Sequence, residues 1–229
     1  MSPLDRPVWS TLSTHHIALS EGGELARRFV RDVNLFASAR DDSPAALAAL
    51  ESLVNPGEPV YVLQVPAVVV PAGLVVVKAA RGVQMLATRK MTVDVTGSHE
   101  MVRLTDRDAP EMLALARLTE PGPFLERTHL MGSFLGIRIG GRLAAMAGER
   151  MRFPGYTEVS GVCTHPDFRG RGFARQLSAA VAARIEARGE RPFLHAWQAN
   201  HAAISLYESL GFELRTEVNI SVLERATAE

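Results

Sequence analysis

The residues whose types and spacing best suit chemistry lie together in Arg169-Gly170-Arg171-Gly172-Phe173-Ala174, between a strand-like segment and an Ala-rich helical one. The first turn of a helix leaves backbone N–H groups unpaired and carries a partial positive charge, so it suits phosphate oxygens. Glycine at 170 and 172 lets a ligand approach those amides, and Arg169, Arg171 and Arg175 add cationic donors. Position 175 is not glycine, so the dinucleotide fingerprint fails, and by itself the stretch reads equally as phosphate cradle or as turn. Other chemistries find less support. Cys163 is the only cysteine, which excludes intramolecular disulfides and cysteine-rich zinc sites; its isolated place on a strand marks a small buried hydrophobe rather than an acylated nucleophile. His129, His165, His195 and His201 form no His-x-x-x-His pair on a helical segment, so no metal site is expected. His165 belongs to the turn at Pro166, whereas His195 could face a cleft. Lysine occurs only at positions 78 and 90, before Ala79 and Met91, so no P-loop exists and a lysine nucleophile has two candidates at most.

The elements that must position these groups can be read from periodicity and punctuation. Val102 to Leu104 predicts a short strand, and Asp108 with Glu111 a capping box for a helix reaching Leu118. Pro121-Gly122-Pro123 opens a loop to about Thr128. Phe134–Ile139 and Leu143–Met151 predict strands joined at Gly140-Gly141, and Thr157–Thr164 a longer strand. Helices follow over Phe173–Arg188, stopped at Gly189, and Ala202–Leu210, stopped at Gly211, with strands at Phe193–Trp197 and Phe212–Leu223. The result is an α/β (α+β) chain: a mixed sheet covered by helices. Before it, Leu25, Phe29, Val33 and Phe36 stand at helical spacing, Ser43-Pro44 starts a helix, and residues 59–64, 67–70 and 74–78 predict Val-rich strands. Val95 to Ser98 interrupt the pattern, which suggests an N-terminal module over 1–97, structural or dimerising, and a second domain over 98–229.

Composition narrows the function. The 229 residues carry 25 basic and 25 acidic side chains, so no overall field recommends nucleic acid. The longest apolar run, Val65 to Val77, contains two prolines and falls short of the roughly 20 residues of a bilayer span, so no membrane partner is expected. Met1 to Ser10 shows no signal-peptide pattern, and a cytoplasmic location is the expectation.

Arg169-x-x-Gly172-x-Ala174 resembles the Arg/Gln-x-x-Gly-x-Gly/Ala signature of the GNAT superfamily of acyl-CoA-dependent N-acetyltransferases. Asn200-x-x-Ala203-x-x-x-Tyr207-x-x-x-Gly211-Phe212 is similar to that superfamily's second signature at its usual separation, and His165-Pro166 fits as well. The resemblance covers roughly residues 101–223, and the narrower likeness is to the branch related to glycine N-acyltransferase, whose N-terminal half is a divergent module. It implies a GNAT-like, mostly antiparallel sheet and acetyl-CoA as cosubstrate without a metal. It also implies a strand that splays from its neighbour, so that Val162 and Thr164 pair with pantetheine as an added strand would. The amides from Gly170 through Arg171, Gly172 and Phe173 to Ala174 would hold the pyrophosphate. Asn200, beside Ala203, would bond pantetheine or cap its helix. Tyr207 matches the superfamily's general acid, its alternative being a core aromatic. A bulged strand would offer a backbone amide near Val162 or Thr164 to the oxyanion.

Glu158, eleven residues before Arg169 where histone-modifying members place their glutamate, is the implied base, with Glu149 as second candidate. Strict alternation would set Glu158, Ser160, Val162 and Thr164 on one face. The expected activity is acetyl transfer from acetyl-CoA to a primary amine of a small molecule or amino acid, by a monomer or homodimer. The alternatives are a non-catalytic acyl-CoA sensor and an interaction module dominated by the N-terminal half.

Overall fold

The computed structural model describes residues 2–91 and 99–226, so the 97/98 divide and the Val95 to Ser98 break lie outside the described residues. The first part contains α1 (Pro7–Leu12), β1 (Ser20–Gly22), β2 (Ala26–Phe29), β3 (Ala37–Ala39), α2 (Pro44–Ser52), β4 (Val60–Gln64) and β5 (Leu74–Ala87). The second contains β6 (Met101–Leu104), α3 (Ala109–Thr119), β7 (Phe134–Ile139), β8 (Arg142–Phe153), β9 (Tyr156–Thr164), α4 (Phe173–Ala187), β10 (Arg191–Trp197), α5 (His201–Leu210) and β11 (Phe212–Arg225). The order expected for the second part is observed, with ends shifted by at most two residues.

Two sheets result. A small N-terminal one runs β1-β2-β3, and an eight-stranded one runs β4-β11-β5-β10-β9-β8-β7-β6. Every neighbour in the large sheet is antiparallel except β9 and β10. The large sheet crosses the expected divide: β5 lies between β11 and β10, and β4 pairs with β11. Alternate residues of β7–β9 split between two cores. Leu135, Ile137, Ala147 and Val159 pack with Phe173, Leu177 and Val181 of α4, whereas Phe134, Met146 and Cys163 pack with Met112, Leu115 and Ala116 of α3. A third core joins Leu4, Val8 and Leu12 to Phe29, Val33 and Phe36 under β8, β10 and β11.

Three local expectations are corrected. Leu25 to Phe36 forms no helix but β2, a turn and the approach to β3. The Asn34 side chain accepts from the N–H of Leu35 at 2.9 Å and of Phe36 at 3.3 Å, giving the backbone an alternative to helical bonds. Residues 67–70 form no strand, flanked by Pro66 and Pro71, which bring no ladder N–H, while β5 extends to Ala87. The capping box belongs to Thr105 and Asp108, one turn earlier than expected, and Glu111 instead accepts the Leu143 N–H at 2.8 Å.

Candidate active site

The parallel β9–β10 pairing stops at Glu158 and Phe193. Beyond it the strands part, and the edge of β9 from Val159 to Thr164 faces an opening instead of a neighbour, the splay the resemblance implied. A cavity of about 220 Å³ lies there, lined by Val159 to Val162 of β9, His195 to Trp197 of β10, and Asn200, Ala203 and Tyr207 at α5. β9 is bulged: Met146 pairs with Cys163 but Gly148 with Ser160, so the ladder skips Gly161 and Val162, and Gly161 sits at φ +61°. The bulge corrects the expected alternation. Val162 packs on the same core as Val159, and Cys163 turns toward α3. Burial pushes the Cys163 thiol up to about 11, so it stays protonated and inert near neutrality.

At one end of the opening is the cradle. Gly170 and Gly172 take φ +75° and +77°, and Gly172 occupies the N-cap of α4 without a side-chain cap. A Cβ on either would meet no atom of the described residues within 4 Å, so the glycines keep open space in front of the helix. None of the backbone amides from Gly170 to Arg175 has a hydrogen-bond partner among the described residues. The surrounding cleft is lined by Val162, Thr164, Arg169, Gly170, Arg171, Gly172, Phe173, Ala174 and Arg175. The Phe173 side chain is buried in the core, so only its backbone faces the cradle. Arg171 stacks over Phe168 at 5.3 Å, and Arg175 donates to Ser209 at 2.5 Å. These groups fit an anion such as a pyrophosphate.

Asn200 accepts the Ala203 N–H at 3.1 Å, which is the capping role. Tyr207 lines the cavity and packs edge-on to Phe212, with its hydroxyl unpartnered among the described residues. Burial, reinforced by the nearby negative charge of Glu158, pushes its phenol up to about 12, so it carries its proton at neutral pH.

Glu158 differs most from expectation. It is wholly buried and lines none of the cavities. Arg150 donates from Nε to Oε2 at 2.8 Å and from Nη2 to Oε1 at 2.6 Å, and His195 Nδ1 lies 2.7 Å from Oε1. Burial alone would raise this carboxyl, but the Arg150 charge and hydrogen bonds override it and hold Glu158 well below its ordinary value. A carboxylate so committed has no oxygen to offer an ammonium in the cavity. The network continues: Gln84 Nε2 donates to the Leu4 carbonyl and lies 3.0 Å from His195 Nε2, while its Oε1 accepts from Arg215. His195 is therefore the Nδ1–H tautomer, with both ring nitrogens occupied. Glu149 is likewise committed, held by both Arg188 nitrogens at 2.9 and 3.0 Å and away from the cavities.

Several wall residues carry no local sequence signal. Phe36, Tyr61 and Leu63 of the first part close the cavity, together with Ile220. Among the described residues, Glu120 is the sole acidic residue lining it or the adjoining groove over Lys78 and Phe124, and its side chain has no partner there. Its backbone takes φ +49°, alone among described non-glycine residues in the left-handed region. Arg150 had one legible sign, since Glu149-Arg150 are adjacent charges inside an otherwise apolar strand from Leu143 to Met151.

Comparison with known proteins gives the family. The family described as FR47-like protein matches residues 134–220. A crystal structure from Novosphingobium aromaticivorans, assigned by its name to the GNAT family of acetyltransferases, is 43% identical over 99% of this chain and 100% of its own, with a TM-score of 0.91. A GCN5-related N-acetyltransferase from Kribbella flavida (17% identity, 100% of this chain, 97% of that one, TM-score 0.65) shares the fold, as does a related protein from Streptococcus suis (16%, 96%, 92%, 0.61). No curated protein matches. Full-length identity at that level, on a splayed sheet with an open amide cradle, makes this chain a member of the GNAT family of acetyltransferases.

Proposed function

We propose that the protein moves an acetyl group directly from acetyl-CoA to the primary amine of a small molecule or amino acid, in the cytoplasm. The observation that carries this reading is the juxtaposition of an unpartnered amide run, Gly170 to Arg175, with the splayed edge of β9 that ends at Tyr207. The pyrophosphate would lie on the cradle, and pantetheine along Val162 and Thr164 as an added strand. The bulge at Gly161-Val162 supports a backbone amide as donor to the developing oxyanion.

In the transfer, the substrate ammonium loses one proton through Glu120 to solvent. The amine then attacks the thioester carbonyl, a C–N bond forms and the C–S bond breaks. Tyr207 gives its proton to the leaving sulfur and regains one, through water, from the attacking nitrogen. The products are the amide, CoA thiol and one released proton. We assign Glu120 the base role expected of Glu158 because, among the described residues, it is the acidic residue that lines the cavity.

A thermal-shift titration with acetyl-CoA tests the reading, run beside Gly172→Glu, which places a carboxylate in the cradle. At 100 times its dissociation constant the ligand should stabilise the wild type by about 2.7 kcal/mol, a rise of several degrees, and leave the variant unmoved. A wild type that does not respond would remove the donor site and the activity with it.

A further inference from the structure

The geometry points to an anion-recognition point in the acceptor cavity, the outer edge of the Arg150 guanidinium, and therefore to an amine acceptor that carries a carboxylate. The inference rests on the transferase reading above and names its substrate class. Arg150 is nine-tenths buried, with 10% of its side chain exposed. A guanidinium has two usable edges. Glu158 takes the Nε and Nη2 donors, while Nη1 has no partner among the described residues and borders the cavity. Phe36 fixes the plane from one side, its ring centroid 5.0 Å from the guanidinium carbon. Nη1 looks toward the Pro121-Gly122-Pro123 loop, where a Cβ on Gly122 would lie 3.8 Å from it. The Ser160 hydroxyl, also unpartnered among the described residues, lines the same cavity and the small recess beside it.

This donor is held rigidly by groups that use its other edge, so it is preorganised for an acceptor entering from the cavity. Lysine could not serve Glu158 and a ligand in this planar, two-edged manner. The ligand's chemistry follows from the rest of the wall. Glu120 favours an ammonium, Arg150 and Ser160 favour an anion, and Phe36, Tyr61, Leu63, Trp197 and Ile220 favour an apolar body between them. An α-amino acid with an apolar side chain satisfies all three.

The experiment compares leucine, methionine and phenylalanine with the amines that lack only their carboxylate: isoamylamine, 3-(methylthio)propylamine and phenethylamine. Wild type should acetylate each amino acid with a kcat/KM about 10- to 100-fold above its decarboxylated partner, the range of one charge-assisted contact. Arg150→Lys, which keeps a cation against Glu158, should bring that ratio close to one. Should this variant fail to fold, the wild-type ratio alone decides. A wild type that binds acetyl-CoA but shows a ratio near or below one, or acetylates none of the three amino acids, overturns this inference and leaves the transferase reading standing. A wild type that does not bind acetyl-CoA overturns both.

Discussion

Glu158→Gln keeps the shape of the side chain and removes its charge. If Glu158 is the buried counter-ion described above, the damage falls on stability. Arg150 would remain 10% exposed without its anion, and breaking a buried pair from one side costs about 3–5 kcal/mol. The Arg150 charge holds the carboxyl below its ordinary value despite full burial, in the direction this cost requires. For a chain of this length each kcal/mol moves Tm by about 2–4 °C, so the variant should melt about 10 °C early. The pH dependence has a definite sign. Because the folded value is depressed, the stabilisation is complete above the unfolded carboxyl value and drains away as pH falls from about 4.5 toward about 2. Urea unfolding of the two proteins should therefore differ fully near neutrality, and the gap should narrow through that acid window. Glu158→Gln/Arg150→Met, which removes both charges, should recover most of the loss. A Glu158→Gln protein with unchanged Tm and a kcat at least 100-fold lower would refute this reasoning and restore Glu158 as the base.

Tyr207→Phe should lower kcat by about 10²- to 10⁴-fold with Tm within about 2 °C, because the hydroxyl has no partner to lose among the described residues. Since the phenol is pushed up to about 12, kcat in the wild type should show no alkaline fall from Tyr207 below about pH 11. Glu120→Gly should raise Tm by about 2–4 °C by relieving the left-handed backbone at φ +49°, and lower kcat at least tenfold. Retained activity would remove Glu120 from the proton path.

What could be read beforehand was what is encoded locally. The α4 and α5 helices announce themselves through apolar spacing and the glycines that stop them, and Gly189 and Gly211 do take φ +78° and +99°. The open amide run at Gly170 to Arg175 was legible for the same reason: it is a backbone conformation, and glycine marks such conformations in sequence. The ion-pair setting of Glu158 was not legible because it depends on partners that only the folded sheet supplies, Arg150 across a hairpin and His195 on the next strand. The bulge at Gly161 moved Val162 to the other face, which no period-2 pattern can foresee. Phe36, Tyr61 and Leu63 looked like ordinary apolar residues because their role comes from a sheet order that brings them opposite α5.

That sheet order has a consequence for how the protein comes into being. β11 holds β4 on one edge and β5 on the other, yet it follows both in the chain after the whole run from β6 to α5. Until β11 is made, β4 has no neighbour in the large sheet, and the wall formed by Phe36, Tyr61 and Leu63 has nothing to close against. Translation must therefore reach β11 before β4 finds its place in the sheet, and until then the nascent chain carries β4 as an unsatisfied edge, whereas β5 can already pair with β10. Deleting residues 219–223 would therefore erase the sheet pairing of β4, a strand far earlier in the chain.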